Sequence, residues 1–386
     1  MEIPNKDFIL RILGTGFKFL SLLLLIKIEK NVVPTFFFYT TFAAFIFKAS
    51  TLSELNNFKR LTNENTFIKF CTVYFFNCLY RNFFFILFIF IYDIYVELNI
   101  EFVPIFFFIL TLFIINYLSA CFILNSKQLY AAIVNFIGSI ALFISIILSA
   151  FLESNLINNI AIIYFIINCV ILFAKFGLPN NLAILKRSFY KINYYFIKKN
   201  FNFRIFKQLK RGFVSISGYL IVSLIAYAIS EYQHIDINLK NSTIVLLYIA
   251  NVINIYLLST KIFPHIFEIS KGKFMMLSFK KIFCIILLVV ALYFVSIFLL
   301  PKYSELISIF YAIIIYIFFS YLTSFQDFYI QSRSIKFNYF FCFFIALILN
   351  IYLLKINHGN FIYMPILLIL PKLSLFTINK ICFKKF

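Results

Sequence analysis

The stretch KRSFYKINYYFIKKNFNFRIFKQLKR (Lys186–Arg211) separates two long apolar halves of the chain and holds nine basic residues. Basic flanks resist translocation during membrane insertion, so a segment of this kind stays on the cytoplasmic side. Its interleaved tyrosines and phenylalanines are typical of a basic amphipathic helix lying on the inner leaflet. We therefore interpret it as a cytoplasmic connector with membrane-spanning segments on both sides.

The basic residues follow the same asymmetry along the whole chain. We draw twelve apolar segments of membrane-spanning length, place the N-terminus inside, and count residues at a span's edge with the adjoining loop. Of the 35 Lys and Arg residues, 25 then lie inside, five lie outside and five lie within spans. This bias predicts a multi-pass protein of the bacterial inner membrane with both termini in the cytoplasm. The expected spans are residues 8–26, 32–48, 70–91, 103–124, 131–152, 157–176, 212–230, 243–266, 281–300, 305–324, 337–355 and 360–377.

Composition limits the fold class. A mean hydropathy of +0.98 with 63% hydrophobic residues excludes an ordinary soluble domain. Spans of about 20 residues use up most of a 386-residue chain and leave no room for an extramembrane domain. We predict an all-α protein of about twelve transmembrane helices in two six-helix bundles, residues 1–177 and 212–386, joined by the connector at residues 178–211. The net charge of +21 then reflects span flanks beside anionic lipid headgroups and does not indicate a nucleic-acid partner.

Sequence patterns for catalysis are missing. The chain has three histidines and lacks HExxH, GxSxG and glycine-rich phosphate loops. Its seven cysteines show no CxxC spacing, which favours small apolar side chains over metal ligands or disulfides. Asp93, Glu97 and Glu101 have helical spacing but fall in an outside loop, where a solvated acidic patch is the favoured interpretation. We expect no catalytic residue, no metal, no cofactor and no enzymatic activity.

Five cations interrupt the apolar spans, namely Lys18, Arg81, Lys175, Lys261 and Lys372. A charge near mid-bilayer costs roughly 2.5–3.5 kcal/mol on insertion scales, so such residues usually face a cavity or a partner. Arg81, Lys18 and Lys261 are the candidates for lining a cavity, whereas Lys175 and Lys372 are expected to snorkel to the cytoplasmic interface. The alternative for Arg81 is a span that starts later and leaves the guanidinium at its boundary. Because the spans offer no carboxylate near these cations, an anionic cargo is the expected counter-ion.

Four local patterns are similar to segments of one transporter family. They are RILGTGFKFLSLLLL (Arg11–Leu25), STLSELNNFKRLTNEN (Ser50–Asn65), FILNSKQLYAAIVNFIGSI (Phe122–Ile140) and LYIANVINIYLLSTKIFPHIFEISKGK (Leu247–Lys273). With the six-plus-six layout, they resemble the polysaccharide branch of the multidrug/oligosaccharidyl-lipid/polysaccharide exporter (MOP) superfamily, and within it the O-antigen (Wzx-type) flippases. The segment GYLIVSLIAYAISEY (Gly218–Tyr232) departs from that family, since it has no acidic residue before Glu231.

This resemblance implies a MATE-like fold and a flippase that moves an undecaprenyl-diphosphate-linked oligosaccharide to the outer leaflet by alternating access. Arg81, Lys18 and Lys261 would bind the diphosphate in a lumen between the bundles. The implied partners are this lipid-linked oligosaccharide, the bilayer, H⁺ or Na⁺ as coupling ion, and other polysaccharide assembly proteins. An O-antigen polymerase or ligase is an alternative, disfavoured by short outside loops nearly free of arginine. The second alternative is a small-solute exporter of the same superfamily.

Overall fold

The computed structural model describes residues 6–51, 87, 90, 101–124, 128–152, 155–176, 222–223, 225–227, 229–230, 236–257, 279–300 and 304–332. Every regular element in these ranges is an α-helix, which confirms the expected all-α class. We number the helices α1 (Lys6–Ile28), α2 (Val33–Thr51), α3 (Phe102–Leu124), α4 (Gln128–Ser149), α5 (Leu156–Phe176), α6 (Ile237–Leu257), α7 (Phe279–Leu299) and α8 (Ser304–Ser332).

Each of these helices overlaps one of the expected spans. Three of them hold a stretch long and apolar enough to cross a membrane, Ile9–Ile28, Phe102–Ser119 and Leu129–Ser149, which is typical of a membrane protein. The other five helices hold shorter apolar stretches. The expected spans at 337–355 and 360–377 lie outside the described residues, as does nearly all of the span at 70–91. The twelve-span arrangement in two bundles therefore stays a prediction.

Helix α6 begins at Ile237, before the expected start at residue 243, because Asp236 caps it. The backbone N–H of Asn238 donates to Asp236 Oδ1 at 3.1 Å, and the backbone N–H of Lys240 donates to the Asp236 carbonyl at 3.1 Å. An Asp at this position satisfies N–H groups that have no partner inside the helix. The polar sequence Asn238–Thr243 is therefore helical although it lacks the hydropathy of a span.

The chain divides into two compact units, Met1–Tyr219 and Leu220–Phe386. In the first unit, α1 packs along α4, α4 packs on α5, and α3 contacts α2, α4 and α5. In the second unit, α8 packs against α6 and α7. The boundaries expected at residues 177/178 and 211/212 lie outside the described residues, so they stay predictions.

Two glycines allow close helix crossings in the first unit. A Cβ at Gly138 on α4 would lie 2.7 Å from Ile115 Cδ1 on α3 and 3.6 Å from Asn168 Oδ1 on α5. A Cβ at Gly14 on α1 would lie 3.2 Å from Ser139 Oγ on α4. Small residues at such crossings let helix backbones approach in a membrane, where packing contributes much of the association energy.

Polar side chains inside the first unit act mainly within their own helices. The amides of Asn116 and Asn168 donate to carbonyl oxygens four residues earlier, at 2.7 and 2.8 Å. Asn135 does the same to Ala131 and also donates to Ser119 Oγ on α3, at 3.1 Å. The α3–α4 contact therefore contains a cross-helix hydrogen bond, as expected for a polar group that joins helices in lipid.

A polar clasp joins three helix ends at one end of this unit. Both carboxylate oxygens of Glu101 accept from Asn155 Nδ2, at 3.1 and 3.0 Å, and the Glu101 N–H donates to the Tyr39 hydroxyl at 3.0 Å. The clasp therefore links α2 with the starts of α3 and α5. Glu101 is solvent-exposed, as expected of an acidic patch, but it also has a structural partner; Asp93 and Glu97 lie outside the described residues.

Candidate functional site

Lys18 lies at the middle of α1. The apolar part of this helix runs from Ile9 to Ile28, and Lys18 is about 14 Å from one end and about 15 Å from the other at 1.5 Å per residue. If this stretch crosses a membrane, the Lys18 ammonium is far from both interfaces and needs water, a partner or an anion close by. In the structure its side chain is exposed.

The exposed side chain of Lys18 does not share the apolar outer face of α1. The large exposed hydrophobic residues of this helix include Ile9, Ile12, Leu13, Leu20 and Leu23. With about 100° per residue, they lie about 120–180° around the helix from Lys18. Lys18 lies instead within about 60° of the buried residues Gly14, Ser21, Leu22 and Leu25. The exposed Lys18 side chain therefore lies on the side of α1 that packs against the other helices of the first unit.

Packing against α4 holds this part of α1 in place. Phe17, the neighbour of Lys18, makes edge-to-face contacts with Phe136 and Phe143, with ring centroids 5.8 and 5.9 Å apart. Each such pair contributes about 0.5–1.5 kcal/mol beyond the area it buries. Together with the close approach at Gly14, these contacts fix the rotation of α1 and hence the direction of Lys18.

Arg11 is a further candidate that the sequence analysis missed. It was counted with the cytoplasmic flank, but it lies inside α1 and is solvent-exposed. Since seven residues make nearly two turns, Arg11 lies within about 20° of Lys18 around the helix and about 10 Å along it. The seven-residue spacing between Arg11 and Lys18 was the sequence pattern that could have identified Arg11 as a candidate. We call Arg11 and Lys18 the cationic stripe.

Asp7 lies on the line of the cationic stripe, one turn before Arg11. Its Oδ1 atom is buried and accepts no hydrogen bond within the described part of the chain. Neither Arg11 nor Lys18 has an ion pair there. The stripe therefore has positive charge available for an external anion, and its guanidinium can bind two phosphate oxygens at once.

The other predicted site residues do not join this stripe in the described ranges. Arg81 and Lys261 lie outside the described residues, and so does Lys372. Their place in a common lumen stays a prediction. Lys175 lies in the last turn of α5 with an exposed side chain, a position from which snorkelling to an interface is possible.

The described residues hold no group of three or more His, Cys, Asp or Glu side chains placed to bind a metal ion. Cys169 on α5 is a free, half-buried thiol. Together, the described side chains can attract an anion and stabilise helix contacts. The expectation that the chain is not an enzyme stays a prediction.

No protein family, curated protein or solved structure matches this chain. The similarity to O-antigen flippases therefore stays a prediction that depends on the residue patterns quoted above.

Proposed function

We propose that this protein is a flippase that moves an undecaprenyl-diphosphate-linked oligosaccharide from the inner to the outer leaflet of the bacterial inner membrane. The observation that carries the proposal is Lys18, a cation at the middle of the membrane-length stretch Ile9–Ile28 that is exposed on the packing side of α1. A lysine in lipid would be costly, whereas a lysine in a water-filled groove can bind the phosphates of a passing substrate. Arg11, on the same line, supplies a second positive charge.

The proposed mechanism needs no covalent chemistry. The cationic stripe, with Arg81 and Lys261, binds the diphosphate, and the polyprenyl tail stays in the bilayer beside the protein. Two six-helix bundles that rock about this site would open it first to the cytoplasm and then to the outside. Both termini and the connector at residues 178–211 would lie in the cytoplasm, and H⁺ or Na⁺ would supply the driving force.

Analysis of lipid-linked glycans in a strain that lacks the gene tests the proposal. We expect single undecaprenyl-linked repeat units to accumulate on the cytoplasmic face, because their synthesis continues while their export stops. Accumulation on the outer face would refute the flippase and indicate a polymerase or ligase. An unchanged glycan profile would refute it as well and leave a small-solute exporter of the same superfamily as the alternative. Complementation with the intact gene should restore the surface glycan.

A further inference from the structure

A cavity of about 550 Å³ lies at one end of the first unit, next to the clasp. The end of α1, the start of α2, the start of α3, the end of α4 and the start of α5 all border it. The charge asymmetry of the sequence predicts that these five helix ends lie on the outside of the membrane. Its volume is in the range of pockets that bind small organic molecules.

The charged groups of this cavity are carboxylates, and its other described polar side chains are two hydroxyls and one amide. Glu29 and Glu101 contribute carboxylates, which only accept when ionised, and the described residues that line the cavity include no Lys or Arg. Apolar residues that include Ile28, Val32 and Leu152 form the rest of the wall. Such a cavity favours a ligand rich in O–H or N–H donors with an apolar face, and it repels phosphate.

Ser149 supplies a second, independent observation that points to a ligand. It lines the cavity at the end of α4, its side chain is fully buried, and its hydroxyl has no hydrogen-bond partner in the described structure. A buried polar atom without a partner costs about 1–3 kcal/mol, so such atoms are rare unless a ligand or water satisfies them. A donor-rich ligand in this cavity would give the Ser149 hydroxyl the partner that it lacks.

The cavity and the cationic stripe belong to one rigid element. Lys18 and Ile28 are both on α1, and the ten residues between them correspond to about 15 Å along the helix axis. A substrate whose anionic group lies at Lys18 could therefore place a neutral group further outward, at the acidic cavity. The two regions attract opposite ends of one molecule, since one is cationic and the other is acidic.

The geometry points to a sugar-binding site: the outer cavity of Glu29, Glu101 and Ser149 binds the non-anionic sugars of the cargo, while the cationic stripe binds its diphosphate. This inference rests on the proposed function and adds a location and a chemistry for the glycan part. Carboxylates would accept hydrogen bonds from sugar hydroxyls, and the wall of Ile28, Val32 and Leu152 would contact the apolar face of a sugar ring.

Tryptophan fluorescence can test this directly, because the chain contains no tryptophan. Leu152→Trp would place one indole on the cavity wall of the full-length purified protein in detergent. We expect a saturable fluorescence change on titration with at least one of glucose, N-acetylglucosamine and glucosamine, and none with inorganic phosphate. Val170→Trp is the matched control, since Val170 is exposed on α5 and does not line the cavity. It should respond to none of them.

Removal of one carboxylate should then weaken binding. Glu29→Gln and Glu101→Gln, each combined with Leu152→Trp, should raise the Kd for the responding sugar about tenfold, the usual loss for a charged hydrogen bond. Glu305→Gln is the matched acidic control outside the cavity and should leave the Kd unchanged. Glu101 also accepts the hydrogen bonds of the clasp, so the Glu101→Gln protein can unfold. In that case the Glu29→Gln protein alone tests the inference.

Three results would overturn the inference: no saturable response to any of the three sugars, an equal response from the Val170→Trp protein, or an equal Kd in the Glu29→Gln protein. The measurement needs no export, so it is separate from the test of the flippase. Sugar binding with normal glycan export in the deletion strain would refute the proposed function and leave the cavity assignment. Loss of glycan export in the deletion strain, without sugar binding by the purified protein, would refute the cavity assignment and leave the proposed function.

Discussion

Gly138→Ala should destabilise the first unit, although alanine is the better helix former. The new Cβ would lie 2.7 Å from Ile115 Cδ1, a distance that real Cβ contacts essentially never show. Ile115 is 6% exposed, so it has little open space into which it can move. Either its rotamer or the α3–α4 spacing must change.

The size of the effect follows from two opposing terms. Overpacking a filled core typically costs about 1–3 kcal/mol. Replacement of glycine by alanine inside a helix stabilises the helix by about 1 kcal/mol. We therefore expect a net loss of roughly 1 kcal/mol. Gly16→Ala is the matched control, since a Cβ at Gly16 meets no atom within 4 Å and should keep the whole helix gain.

Thermal unfolding of the purified variants in one detergent is the assay. The apparent Tm should fall for Gly138→Ala and stay level or rise for Gly16→Ala. Ile115→Val removes the Cδ1 atom that the new Cβ meets, so it should restore stability in the double variant although it costs about 0.5–1.5 kcal/mol alone. If Gly138→Ala proves as stable as Gly16→Ala, or if Ile115→Val gives no rescue, the packing argument is wrong.

Three further predictions concern topology, transport and the clasp. Reporter fusions after Tyr194 should report cytoplasm and fusions near Asp236 should report periplasm; a periplasmic signal from the connector would contradict the topology. Lys18→Glu should abolish surface glycan at matched protein level while Lys175→Glu retains it, because Lys18 lies at the middle of a membrane-length stretch whereas Lys175 lies in the last turn of α5; equal export by both would remove Lys18 from the site. Asn155→Ala should lower the free energy of unfolding by about 0.5–1.5 kcal/mol, measured by chemical denaturation, because the exposed Glu101 carboxylate loses the hydrogen bonds that Asn155 donates; an unchanged value would show that the clasp contributes nothing.

Apolar runs and their basic flanks account for the helix positions but less well for the helix ends. Helix α6 was expected from residue 243, yet it begins at Ile237, since hydropathy alone does not register the Asp236 cap. Helix α8 runs to Ser332, beyond the expected end at residue 324, because a helix can continue through a polar segment that no longer counts as a span.

The candidate site was predictable only in part. A lone lysine in an apolar run marked Lys18, because a charge in hydrocarbon is costly whatever the fold. Arg11 was not named as a site candidate, since a basic residue near a span's edge is normally a topology signal. Its significance depends on the length of α1, which begins at Lys6 and places Arg11 well inside the helix.

The sequence by itself determined that the chain is helical and suited to a membrane, because apolar runs and their basic flanks are local properties. Only the tertiary structure decided what each side chain faces. The direction of Lys18 depends on the packing of Phe17 between Phe136 and Phe143, and the role of Gly138 depends on the approach of Ile115. Contacts of this kind join residues far apart in the chain, so no local pattern encodes them; packing of the folded helices alone creates them.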